Sequence, residues 1–264
     1  MINYLSKPFI WFFKLEAASG LVLLFAAIIA LIISNSNFAT VYFSTLDEYL
    51  FRLINSSGWQ QMDDIMIMTS SKYIWIPLYL FILYNLFQIH KKNFYKILFS
   101  LILLIFFADM GSVEIFKETF QRLRPCHALQ DIRLVDNCGG KFGFISSHSS
   151  NSFAIAFFIS LLMKNKWWFF SLFSWATLIS YSRVYLGVHY PFDVLCGMFW
   201  GLFVSLLVYF VYKMKLKKFD STWAVWFLLV CIWNFGWSNA PAIADIFVAV
   251  SLSLLVIYFK KKNK

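Results

Sequence analysis

Charge is scarce in this sequence. Of its 264 residues, 14% are charged and 61% apolar, against roughly 25% and 45–50% in an average soluble chain. A water-facing surface over the whole molecule is therefore excluded. Glycine (10) and proline (5) are also few, which excludes collagen-like and low-complexity chains, and charge-rich heptads of a coiled coil are missing. Acidic residues number 13 against 23 basic ones, a net charge of +10. The basic residues fall in short clusters between apolar runs rather than along a continuous stripe, so nucleic acid is not the expected partner. With four histidines and four cysteines, no metal cage is apparent and no cofactor is implied.

What is abundant is long apolar runs. Stretches of about 17–25 apolar residues span ~30 Å of hydrocarbon as helix. Eight segments qualify, near 15–34, 73–89, 97–117, 148–163, 167–184, 191–212, 222–238 and 242–259. The expected fold is all-α, a polytopic helix bundle with about eight transmembrane helices. Between the first two runs, residues 40–70 alternate apolar and polar and carry Asp47, Glu48, Arg52, Asp63 and Asp64, a pattern suited to an interfacial amphipathic helix.

Topology follows from the cations. With the N-terminus inside, short cytoplasmic loops should hold the Lys/Arg excess, and fifteen lysines fall there. All five arginines (Arg52, Arg122, Arg124, Arg133 and Arg183) fall outside with Lys72, Lys117 and Lys141. The positive-inside rule gives them no reason to be there. Cys126 and Cys138 lie in the same outer loop, where an oxidising compartment permits a disulfide; spacing alone does not prove one. Cys196 and Cys231 read as packing residues.

Chemistry-bearing residues gather at outer helix ends. Lys117 and Arg124 are seven apart, two helical turns, and Pro125 stops that helix. Ser146, Ser147 and His148 open the fourth run, where hydroxyls can cap free N–H groups and an anion is attracted. Arg183 ends the fifth run; His189, Pro191 and Asp193 begin the sixth. Three permanent cations, two histidines and a carboxylate on one membrane face describe a phosphate site, since arginine forks grip phosphate oxygens in pairs. Asp193, four residues from His189, is placed to hold one imidazole nitrogen and leave the other as nucleophile. His148 is placed to protonate the leaving oxygen. Glu114, one turn before Lys117, is a candidate to orient it. Asp109 and Asp245 are the alternative elements of an ion path.

The composite Lys117-x6-Arg124-Pro125, Ser146-x-His148, Ser182-Arg183-x5-His189-x3-Asp193 resembles the type 2 phosphatidic acid phosphatase (PAP2) superfamily, which also includes vanadium haloperoxidases. The likeness spans residues 117–193, and the middle motif carries Ser147 where the family usually has glycine. It implies a PAP2-like core over 41–215, flanked by an N-terminal helix in 1–40 and a C-terminal helix pair in 216–264. It further implies phosphate binding by Lys117, Arg124 and Arg183, assisted by Ser146 and the backbone N–H of Ser147. His189 would form a phosphohistidine, supported by Asp193, with His148 as acid and then base.

The activity so implied is hydrolysis of a lipid phosphate or diphosphate at the extracytoplasmic face of the cell (inner) membrane, without metal. Substrates in view are membrane phospholipids such as phosphatidic acid or phosphatidylglycerophosphate, a polyprenyl diphosphate and a lipid A phosphate. The alternatives are phosphate transfer to another acceptor and, from a different class, ion-coupled transport. The latter draws on Phe12 to Gly20 and the run to Asn35, which resemble the first helix of NhaA-type sodium/proton antiporters.

Overall fold

The computed structural model describes residues 37–213, with side chains from 41 onward. These residues fall into two compact units divided between Leu53 and Ile54. The expected runs at 15–34, 222–238 and 242–259, with Cys231 and Asp245, lie outside the described residues, as do nearly all of 1–40 and 216–264.

Seven helices of eleven residues or more make up the described part, and no strand longer than an isolated bridge occurs in it. They are α1 (Asn37–Ser56), α2 (Gln60–Ser70), α3 (Ile76–His90), α4 (Phe94–Met110), α5 (Ser147–Met163), α6 (Lys166–Tyr185) and α7 (Pro191–Lys213). The 40–70 segment is thus two helices rather than one. They part around Gly58, where a Cβ would collide with the Arg133 guanidinium and the Tyr185 hydroxyl.

The expectation of about eight transmembrane helices is corrected here. Among the described residues, two helical stretches are long and apolar enough to cross a bilayer: Tyr73–Phe120, 48 residues with a mean hydropathy of 2.0, and Pro191–Lys213, with 2.3. The runs at 148–163 and 167–184 do form helices. However, α5 is 17 residues long and opens on Ser-His-Ser-Ser-Asn-Ser, while α6 begins on Lys166 and ends around a buried Arg183. One face of each fills the interior, although Trp167, Phe170 and Leu178 of α6 stay exposed. Phe153, Phe158, Ile159, Leu172 and Ala176 are buried with Leu104 of α4 and Val204 of α7 in one core. A helix apolar all round belongs to a core as readily as to a lipid phase, and apolar count alone does not separate the two.

Small residues bring α5 and α7 together. A Cβ on Gly197 would stand 2.6 Å from the Ser146 carbonyl oxygen, and one on Gly201 would stand 2.3 Å from that of Ser150. The two glycines are four apart, on one face, and let the backbones touch. Serine hydroxyls use the same proximity: Ser149 donates to the Val194 carbonyl (2.7 Å) and Ser205 to that of Ala154 (2.7 Å). Ser150 ties α5 to α4 through the Ala108 carbonyl (3.0 Å). Asn165 caps α6 by accepting from Trp167 N–H (2.8 Å), and Pro191 opens α7, where a missing N–H costs nothing.

α4 does not end as a plain α-helix. It widens into a π-helical turn, Gly111–Lys117, and a last α-turn, Glu118–Phe120. Single π-turns are uncommon and concentrate at functional positions; this one carries Lys117. Gln121 then takes a left-handed φ of 46°, and the chain turns extended through Leu123, which bridges antiparallel to Phe142.

Candidate active site

The ends of α4, α5, α6 and α7 bring the candidate residues together. Lys117, on the π-turn, donates to Ser147 Oγ (2.8 Å), which shares a second hydrogen bond with Ser112 Oγ (2.6 Å). Lys117 interacts electrostatically with Arg124, Asp109, Asp193 and Arg183. Glu114 is exposed and does not hold it. Asp109 instead accepts from Asn151 Nδ2 (2.8 Å).

Arg124 does not share a helix face with Lys117. The helix ends at Phe120, where Gln121 turns left-handed, and Arg124, pushed toward extended backbone by the proline that follows it, has φ −67° and ψ 155°. Its guanidinium is held by carbonyls, with Nη1 donating to Cys138 (2.7 Å) and Nε to Phe142 (3.3 Å). Burial lowers its affinity for the proton from the usual arginine value, and Asp193 opposes that. Cys138 is joined to Cys126 in a disulfide, Cα to Cα 6.1 Å, so the loop that supplies this carbonyl is covalently tied beside Arg124. Cys126, His127 and Cys138 lie close enough to suggest a metal site, but with both sulfurs bonded to each other only one imidazole remains to offer.

Arg183, at the end of α6, is 7% exposed. Its Nη1 donates to Ser70 Oγ of α2, while Nε is buried without a hydrogen-bond partner. Ser146 Oγ is likewise buried and unpartnered. The capping expected of it does not occur; its backbone N–H donates to the Asp193 carbonyl instead (2.9 Å).

His189 is 2% exposed and Asp193 fully buried. Nδ1 of the imidazole stands 3.5 Å from Asp193 Oδ2, which also accepts from Tyr190 N–H (3.0 Å). Burial, then the nearby Arg124, Arg183 and Lys117, hold the His189 imidazole well below the ordinary histidine range against a hydrogen bond to the Gly143 backbone, so it is neutral. His148, at the start of α5, is within electrostatic reach of His189, Arg183, Lys117 and Lys72.

Three participants were not singled out from the sequence. Arg122 donates to Asp193 Oδ1 (2.8 Å). Ser70 and Ser112 hold Arg183 and Ser147. Their partners are 113 and 35 positions away, and no local signal announces such pairs. A fourth group sets the loop: Asn55 donates to the carbonyls of Arg133 (2.7 Å) and Tyr185 (2.9 Å) and accepts from Arg133 N–H (2.9 Å). Arg133 also pairs with Asp63. Gly187, with φ +86°, admits this close approach, since a Cβ there would stand 2.8 Å from the Arg133 carbonyl.

Known proteins resemble this chain over the helices that carry these residues. The PAP2 superfamily model matches residues 93–217, from α4 to just past α7. The lipid A 4'-phosphatase of Porphyromonas gingivalis is 33% identical over 178 residues, 65% of this chain and 75% of that one. The crystal structure of Aquifex aeolicus LpxE superposes with a TM-score of 0.51 at 28% identity, over 62% of this chain and 94% of its own. That of a PAP2-type phosphatidylglycerolphosphate phosphatase from Bacillus subtilis gives 0.56 at 25%, over 75% and 96%. A 58-residue stretch is 69% identical to the NhaA antiporter of Pelagibacter ubique, but it is 22% of this chain and 15% of the antiporter, so that likeness is partial. The chain therefore belongs to the PAP2 superfamily, as a phosphoric-ester hydrolase that acts on lipid phosphates or diphosphates at a membrane interface.

Proposed function

We propose that the enzyme cleaves its lipid phosphate through a phosphohistidine on His189, at the extracytoplasmic face, and that lipid A is the substrate to test first. One observation carries the mechanism: a buried neutral imidazole faces a buried carboxylate at 3.5 Å while Lys117, Arg124 and Arg183 all act on it electrostatically. The phosphate oxygens would lie among those cations, with the buried Arg183 Nε and Ser146 Oγ, which lack protein partners, as further contacts. Asp193 faces Nδ1, which leaves Nε2 of His189 to attack phosphorus as the ester P–O bond breaks. His148, which burial and the surrounding cations keep unprotonated in the free enzyme, would take up a proton as the phosphate anion enters among those cations and give that proton to the departing oxygen. A water then attacks phosphorus, His148 takes one of its protons, and the P–N bond breaks to release phosphate and free His189. The cations carry the charge that builds on the transferring group.

The lipid follows from likeness. The Porphyromonas gingivalis relative is a lipid A phosphatase and the Bacillus subtilis structure a phosphatidylglycerolphosphate phosphatase; both substrates set a phosphate on an apolar anchor. Phosphate release is measured from a panel of lipid A, phosphatidylglycerophosphate, phosphatidic acid and a polyprenyl diphosphate in mixed micelles. His189→Ala is expected to abolish turnover, and His148→Ala to lower it by about 10²–10⁴, with both proteins still inserted. Vanadate, which adopts the geometry of the transferring phosphate, should inhibit, and EDTA should not. A fully active His189→Ala enzyme, or loss in EDTA reversed by a divalent metal, overturns the mechanism.

A further inference from the structure

Asp193 is approached by three groups. Tyr190 N–H donates to Oδ2 (3.0 Å), the same oxygen faces His189 Nδ1 at 3.5 Å, and Oδ1 accepts from Arg122 Nη1 (2.8 Å). The aspartate side chain is wholly buried, whereas that of Arg122 is 30% exposed. Arg122 is itself fixed from two sides. Its guanidinium lies 4.1 Å over the centre of the Tyr190 ring, and its backbone carbonyl accepts from Gly143 N–H (2.8 Å). The segment is extended around the Leu123 to Phe142 bridge, and residues two apart in an extended chain share a face. Arg122 and Arg124 thus look toward the same site with different tasks, one on a carboxylate and the other on the carbonyls of Cys138 and Phe142.

We propose that Arg122 is a positioning residue of the reaction: through Asp193 it sets the plane of the carboxylate and so the orientation of the His189 imidazole, and it keeps Arg124 free for phosphate. The proposal rests on the reading of His189 as nucleophile. The terminal torsion of an aspartate is broad and roughly two-fold, so a contact at one oxygen leaves the group free to turn. Holding Oδ1 by Arg122 and Oδ2 by Tyr190 N–H removes that freedom. A buried carboxylate also needs a cation partner. Without Arg122, the next arginine acting on Asp193 is Arg124, and a guanidinium drawn to Asp193 is withdrawn from the phosphate.

The test uses the full-length enzyme and the four-lipid panel. Arg122→Gln should lower kcat by about 100-fold, the scale of a misplaced reacting group, with KM within about threefold, the mark of a loss felt in the transition state. Arg122→Lys, which keeps the charge without the fork, should fall between. Arg122→Ala should regain activity at least tenfold in sub-denaturing guanidinium, because the site is open to solvent on that side, while sodium or ammonium at equal strength restores none. A purely structural role moves the melting temperature and is not rescued. Wild-type kcat in Arg122→Gln, a change in KM alone, or no guanidinium rescue overturns the proposal. An inactive His189→Ala enzyme beside a fully active Arg122→Gln condemns the positioning role by itself, whereas an active His189→Ala enzyme condemns the nucleophile reading.

Discussion

His189 shows how a site is tuned by what surrounds one ring. Burial and three neighbouring cations disfavour its protonated form, and both effects favour the neutral, nucleophilic imidazole. The same shift links stability to pH. In the unfolded chain this histidine titrates near the ordinary value of about 6.5; in the folded chain it binds its proton only well below that. Between those limits the unfolded state holds more protons, so stability is full above about pH 6.5 and falls as the pH drops. The melting temperature of the wild-type protein should therefore decline from pH 7.5 to 5.5 more steeply than that of His189→Asn, followed by tryptophan fluorescence in detergent. Parallel curves would show that residue 189 takes up its proton equally in both states. The nearness of His189 and Asp193 was legible because both lie within four residues at a helix start. The role of Arg122 was not, because its carboxylate partner lies 71 positions on. Arg124 was legible as a site candidate but not in its setting: seven-residue spacing suggested a shared helix face with Lys117, and Pro125 imposed an extended approach instead.

At the level of helices, the site exists because α5 and α7 start side by side. Their closeness depends on Gly197 and Gly201, each with carbonyl oxygens of α5 where a Cβ would be. Gly201→Leu should force the helices apart and lower stability by about 1–3 kcal/mol or more, the usual cost of overpacking. It should also reduce phosphate release although residue 201 is two turns below Asp193. Thermal melting together with activity checks both, and unchanged values would mean that the helices part without strain. Helix existence was readable from apolar runs for α3 to α7, whereas the alternating 40–70 segment suggested one helix where α1 and α2 form. The environment of each helix was not, because a run such as 148–163 looks alike whether its partners are lipid tails or Phe173 and Tyr209. The serines of α5, which bond to neighbouring backbones, are the better indication that it is a core helix. The π-turn at Gly111–Lys117 has no sequence signal of its own beyond Gly111, which a Trp200 ring crowds.

For the molecule as a whole, sidedness ties charge to covalent chemistry. Lysine clusters and arginines segregate along the sequence, and short cytoplasmic loops are the ones that collect cations for topology. The arginines around 122–133 need another reason: Arg122 pairs with Asp193 and Arg133 with Asp63, and the proposed mechanism gives Arg124 to phosphate. The disulfide between Cys126 and Cys138 lies in the same loop, and such bonds persist on the oxidising side of a membrane. On the proposed reading the loop, and with it His189, faces away from the cytoplasm, and that orientation can be tested. In sealed right-side-out vesicles, an impermeant phosphine reductant followed by an impermeant maleimide should label both cysteines. Inverted vesicles should be labelled only after detergent opens them. Reduction should also loosen the carbonyl of Cys138 from Arg124, lowering kcat several-fold, since on the proposed mechanism that cation carries part of the charge that builds on the transferring group. Labelling confined to inverted vesicles would put the loop on the cytoplasmic side, where such a disulfide does not persist, and would overturn the extracytoplasmic orientation.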